Sequence, residues 1–174
     1  MMIGKTCLQI LYAESHFVTS IKRNEDEFVT VYNSLSQELH PLLLLQLHCL
    51  YADEGGDGTV KVPVTAAQPL LSNLCAVMSC AFVADVLSGR CPTKAIYVAE
   101  KGQREWLCAS LMNKEFSVCP RETCIDRTAK LTVPKRDEYV ITAALAASIR
   151  ATIPVRQPFG NLVKSGVVDL TNDD

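Results

Sequence analysis

The stretch Leu74 to Leu87 is predominantly apolar and rich in small residues. A helix of that character has no face to offer to water and must lie inside a core. Ser72 or Asn73 is available as its cap, and Gly89 ends it. A second helix, opening near Ser36 with Glu38 in its first turn, carries leucines from Leu42 through Leu50 and imposes the same demand. Pro41 falls early enough to be tolerated there. Two buried helices need a broad apolar surface to pack on, and short β-prone runs offer one. Cys7 to Tyr12 suits a buried strand, His16 to Lys22 a second and Phe28 to Tyr32 a third, with the charged cluster Lys22 to Glu27 as a hairpin turn. Val60 to Thr65 adds another. The expectation is an α+β domain with a small antiparallel sheet packed on the helix that begins at Leu74.

The 174 residues suffice for one domain and a tail, and a hydrophobic content of 48% lets that domain form a packed core. Glu100 to Met112 reads as a more amphipathic helix carrying Trp106, the only tryptophan. Beyond Pro120 the character changes to basic and polar, then to an alanine-rich segment from Glu138 to Arg150 that reads as a loose helix. The division expected is a domain over 1–125 and a flexible tail over 126–174. A net charge of −2 and an aromatic content of 6% give no reason to expect nucleic acid. The longest apolar run, Leu42 to Leu45, is too short to span a bilayer, and no secretory signal opens the chain. The eight cysteines are dispersed, several inside apolar periodic stretches, as buried free thiols are in a reducing cytoplasmic or nuclear compartment. Cys75-x4-Cys80 and Cys119-x4-Cys124 lack the close pairing of a structural zinc site, and the chemistry calls for no metal or cofactor. The loop Asp53 to Gly58 has no lysine and no strand–helix setting for a phosphate, so it reads as a plain turn.

Three polar residues stand out in chain order: His16, Asn33 and Cys75. A histidine to take a thiol proton, an amide to hold its ring and a cysteine to attack a carbonyl suffice for thiolate catalysis. Cys75 at the start of a buried helix would meet free backbone N–H groups and the positive end of the helix dipole. His16 at the start of one strand and Asn33 at the end of its neighbour could sit side by side. The framing words His16-Phe17-Val18, Val31-Tyr32-Asn33-Ser34-Leu35 and Ser72-Asn73-Leu74-Cys75-Ala76-Val77 make the stretch from about Leu8 to Pro120 resemble the ubiquitin-like-protein-specific cysteine proteases, the clan that includes the adenovirus proteinase. That resemblance implies a papain-like (adenain-type) fold and a triad of His16, Asn33 and Cys75, with Gln68 as the oxyanion side chain. It also implies hydrolysis of a peptide or isopeptide bond at the C-terminus of SUMO, ubiquitin or a related modifier. Asn33 stands where the family has aspartate, Phe17 where it has tryptophan, Leu74 where it has an acid and Ala76 where it has glycine. Gln68 lies one residue further from the cysteine than the family spacing. The part of the family's chain that precedes the histidine is expected to be incomplete. A catalytically weak or inactive relative that binds SUMO or ubiquitin is the alternative.

The last residues, Val167-Val168-Asp169-Leu170-Thr171-Asn172-Asp173-Asp174, resemble a SUMO-interacting motif. An apolar β-prone segment of this kind adds as a strand to a sheet edge, and Asp173 and Asp174 would face a basic rim.

Overall fold

A computed structural model describes residues 6–35, 37–51, 58–69, 72–121 and 137–152. Among them, five strands form one sheet, with four α-helices beside it, so the chain mixes α and β structure. The strands are β1 (Cys7–Ala13), β2 (His16–Lys22), β3 (Phe28–Tyr32), β4 (Gly58–Val62) and β5 (Asp137–Ile141), and they lie in the sheet in chain order. The helices are α1 (Pro41–Tyr51), α2 (Cys75–Leu87), α3 (Glu100–Asn113) and α4 (Ala143–Thr152).

The sheet is mixed where an antiparallel one was expected. β1–β2, β2–β3 and β4–β5 are antiparallel, but β3 and β4 run parallel. The cause is the intervening α1, because parallel neighbours need a crossover and a helix supplies it. The pairing of Ala13 with His16 leaves Glu14 and Ser15 as a two-residue hairpin loop. Both have positive φ, 48° and 64°, which is what the tight hairpin turn requires. Neither is glycine, so the turn beside His16 is strained by about 1–3 kcal/mol per residue.

Alternation along the strands divides the interior in two. Leu11, Val18, Val29, Val31, Val60 and Ile141 point to one face, where α1 (Leu43, Leu44, Leu47) and α4 (Ile149) cover them. Ile21 and Tyr32 point to the other, against α2 (Val77, Met78, Ala81, Phe82), with Trp106 of α3 behind. The result is helix, sheet and helix in three layers. Ala81 and Phe82 are wholly buried, and the small residues of α2 let it approach β2 closely enough for the Thr19 hydroxyl to donate to the Ser79 carbonyl at 2.9 Å.

Element ends follow local chemistry. α1 opens at Pro41 rather than near Ser36, which lies outside the described residues. Proline deeper inside a helix would clash with the preceding turn, and His40 satisfies the first donors, with Nδ1 accepting from Leu42 N at 3.3 Å and its carbonyl from Leu43 N at 2.9 Å. β4 stops at Val62, short of the expected Thr65, because it is paired on both sides and Pro63 has no N–H to contribute. α2 ends as expected at Gly89, whose φ of +69° closes the helix with bonds from Gly89 N to Val86 O (3.1 Å) and Arg90 N to Asp85 O (2.8 Å).

The C-terminal part departs most from expectation. Of the residues read as a loose helix, 138–150 in a tail beginning at 126, those from Ala143 on do form a helix, α4, while 138–141 belong to β5, paired with β4. Ile141, Ala146 and Ile149 are buried, so 137–152 belongs to the core. β-branched and aromatic Tyr139-Val140-Ile141 favours a strand, and the Thr142 hydroxyl accepts from Leu145 N at 3.0 Å to start the helix. The motif at 167–174, with Val167, Val168, Asp169, Leu170, Asp173 and Asp174, lies outside the described residues. No helix among the described residues is long and apolar enough to cross a membrane.

Candidate active site

β2, β3 and α2 bring three polar groups to one end of the sheet. His16 is the first residue of β2, Asn33 immediately follows β3 and Cys75 opens α2. His16 Nε2 and Asn33 Oδ1 are 2.7 Å apart. Asn33 is 7% exposed, and its amide has one permissible orientation. Oδ1 also accepts from the backbone N–H of Leu35 at 2.9 Å, while Nδ2 donates to the Gln37 carbonyl at 3.2 Å. A backbone N–H can only donate and a carbonyl can only accept, so Oδ1 faces the ring. His16 Nε2 therefore carries the hydrogen, and in the neutral ring Nδ1 holds the basic lone pair. Nδ1 is buried and has no hydrogen-bond partner among the described residues.

The Cys75 thiol contacts the carbonyl of Ser15, with Sγ 3.9 Å from the oxygen. That carbonyl belongs to the peptide bond leading into His16, which places the thiol beside the histidine backbone. The strained turn sets this carbonyl's direction. α2 has Leu74 at its N-cap and no side-chain cap bond there, where Ser72 or Asn73 was expected. The first bond of the helix runs from Met78 N to Leu74 O at 2.8 Å, leaving the N–H groups of Cys75, Ala76 and Val77 without helical acceptors. A serine or asparagine cap would occupy one of these donors; leucine leaves them for an incoming oxyanion.

Gln68 lies on the strap 63–69 that leaves β4. Its Nε2 donates to the Ser72 carbonyl at 2.9 Å, its Oε1 accepts from the Ser34 hydroxyl at 2.9 Å, and its backbone N donates to the Ser34 carbonyl at 2.9 Å. Thr65 anchors the same strap through a 2.6 Å bond to the Asn33 carbonyl. Of the four sequence-derived residues, His16 and Asn33 are in direct contact, Cys75 Sγ reaches the Ser15 carbonyl rather than the His16 ring, and Gln68 is tied to Ser34 and Ser72. Ser34 and Thr65 were not singled out in the sequence. Their contacts span 34 and 32 positions of the chain, beyond the reach of any local pattern, although Ser34 stands inside one of the framing words.

A second polar cluster anchors α2 at its far end. Asp85 is fully buried, ion-paired to Arg121 at 2.7 Å and hydrogen-bonded by the Tyr97 hydroxyl. Burial, the hydrogen bond the phenol donates to Asp85 and the charge of that carboxylate push Tyr97 well above its ordinary range. Burial, aided by Asp85 and opposed by Arg121, pushes the Cys119 thiol up to about 12.

Comparison with protein-family models, with curated proteins and with solved structures found no match.

Proposed function

We propose that this chain is a thiol-dependent hydrolase with a papain-like arrangement, acting on peptide or isopeptide bonds at the C-terminus of a ubiquitin-like modifier such as SUMO or ubiquitin. The observation that carries the reading is the Asn33-fixed His16 ring, its basic Nδ1 buried and partnerless, with Cys75 at an uncapped helix start beside it. In the reaction Nδ1 takes the proton from Sγ once the thiol turns from the Ser15 carbonyl to the ring. The sulfur then attacks the scissile carbonyl, whose oxygen gathers negative charge against the N–H groups of α2 and the Gln68 amide. His16 returns the proton to the leaving amine, and water releases the acyl group from sulfur. The choice of modifier rests on the sequence resemblance, and the reading places the protein in a reducing cytoplasmic or nuclear compartment.

One observation favours a second reading, a binding module that has lost turnover: Cys75 Sγ is engaged with a backbone carbonyl while His16 Nδ1 has no partner. The deciding experiment is incubation with SUMO and ubiquitin probes bearing a C-terminal electrophile. Covalent capture by the native chain and none by Cys75→Ala supports the hydrolase. Absence of capture together with measurable binding of the unmodified modifier supports the module.

A further inference from the structure

We propose that Ser34 is a positioning residue for the oxyanion side of this site, its hydroxyl and its carbonyl holding Gln68 in the orientation that the Ser72 carbonyl selects. The inference deepens the hydrolase reading and rests on it. A carboxamide has two ends of nearly the same size, one that donates and one that accepts, and its neighbours decide which end points where. Here the Ser72 carbonyl, only an acceptor, demands the amine end at 2.9 Å. The Ser34 hydroxyl supplies the donor for Oε1 at 2.9 Å. With the carboxamide reversed, the oxygen would oppose the Ser72 carbonyl with no hydrogen between them. Nε2 spends one hydrogen on Ser72 and keeps a second to donate toward an oxyanion.

Ser34 is 2% exposed, so bulk water cannot take over its bond to Oε1. It grips residue 68 twice, since its carbonyl also accepts from Gln68 N at 2.9 Å. With Thr65 bonded to the Asn33 carbonyl, two successive residues past β3 serve both halves of the chemistry. Asn33 sets the tautomer of the base, and Ser34 holds in place the amide whose direction the Ser72 carbonyl sets. This pinning also accommodates the extra residue between Gln68 and Cys75, because the strap is held against β3 rather than by its distance along the chain.

The test combines turnover with a spectroscopic reading of the amide itself. Native chain, Ser34→Ala, Ser34→Thr, Gln68→Ala and the double Ser34→Ala/Gln68→Ala variant are compared on SUMO and ubiquitin carrying a C-terminal fluorogenic amide. Removing one oxyanion donor costs on the order of a hundredfold in turnover, and a misdirected one loses much of that. Ser34→Ala is expected to lower kcat about tenfold or more with KM within about twofold, and Ser34→Thr, which keeps the hydroxyl, to restore most of it. The double variant is expected to be no slower than Gln68→Ala alone, since both act through one group. The iodoacetamide alkylation rate of Cys75, which needs no oxyanion site, stays unchanged. In nitrogen–proton correlation spectra the Gln68 side-chain pair, assigned by its loss in Gln68→Ala, moves toward free-amide shifts in Ser34→Ala. Unmoved Gln68 resonances, or multiplicative losses in the double variant, overturn the proposal. Should the native chain turn over neither modifier, the hydrolase reading and the catalytic use of Ser34 fall together, while the spectra still decide whether Ser34 holds the amide in place.

Discussion

Replacing Asn33 by alanine removes three side-chain hydrogen bonds at once: to His16 Nε2, to Leu35 N and to the Gln37 carbonyl. A net hydrogen bond contributes about 0.5–1.5 kcal/mol, and the groups left behind are largely out of water, so the expected loss of stability is about 2–4 kcal/mol. The ring also loses what selects its tautomer. If the bond to Oδ1 favours the productive form by about 1 kcal/mol, the population competent to accept the thiol proton falls, and turnover drops by at most about fivefold beyond any unfolding. Asn33→Asp behaves differently. One carboxylate oxygen still accepts from His16 and Leu35, but the other faces the Gln37 carbonyl, so about 1–2 kcal/mol is lost while ring orientation is kept. Urea unfolding followed by fluorescence gives the stability of all three proteins, provided m is unchanged. Differential alkylation against Cys75→Ala isolates the reactivity of that one thiol. An Asn33→Ala protein within about 0.5 kcal/mol of the native stability, or one less stable than Asn33→Asp by nothing measurable, would refute the network as described.

Raised ionisation of Cys119 favours the neutral thiol in the folded state, so its stabilisation is complete below about pH 9 and is lost as pH rises toward about 12. Tyr97 acts with the same sign, and Cys119→Ala should flatten the alkaline fall in unfolding free energy by up to one proton, which a series of urea titrations reads directly. Lys114 closes α3 with φ +54°, a conformation glycine adopts freely, so Lys114→Gly is expected to raise stability by about 0.5–1 kcal/mol in the same assay. A peptide covering Lys164 to Asp174 is expected to bind labelled SUMO with modest affinity, and alanine at Val167, Val168 and Leu170 to abolish it. Equal titrations by the two peptides would remove that segment from the functional account.

What could be read in advance was the local part. The hairpin of β2 and β3, the burial of α2 and its glycine stop follow from period, β-branching and a residue that accepts positive φ, all visible within a few positions. The first polar pair was readable because adjacent antiparallel strands put the start of one near the end of the next. The parallel pairing of β3 with β4 and the return of β5 were not readable, since both depend on partners distant in sequence. Thr142 and the Tyr139-Val140-Ile141 run did carry a local signal for a strand followed by a helix, but the alanines that follow outweighed it. The Ser34–Gln68 contact had no such signal, because side-chain direction across a strap depends on where Pro63 sends the chain after β4.

β5 completes the sheet last, and this has a consequence for synthesis. Every residue of the candidate site precedes it, so β1 to β3 and α2 can assemble while β4 still has one open edge and α1 lacks α4 beside it. At about 5–20 residues per second, the ribosome takes several seconds to pass from Cys75 to Ile141. During that interval Val60 and the leucines of α1 present an apolar surface and an unpaired strand, the combination on which nascent chains pair with one another. A holding chaperone is expected to meet the chain in this window, and substitutions that weaken β5 should reduce the yield of folded protein more than they slow the thiol chemistry of the molecules that do fold.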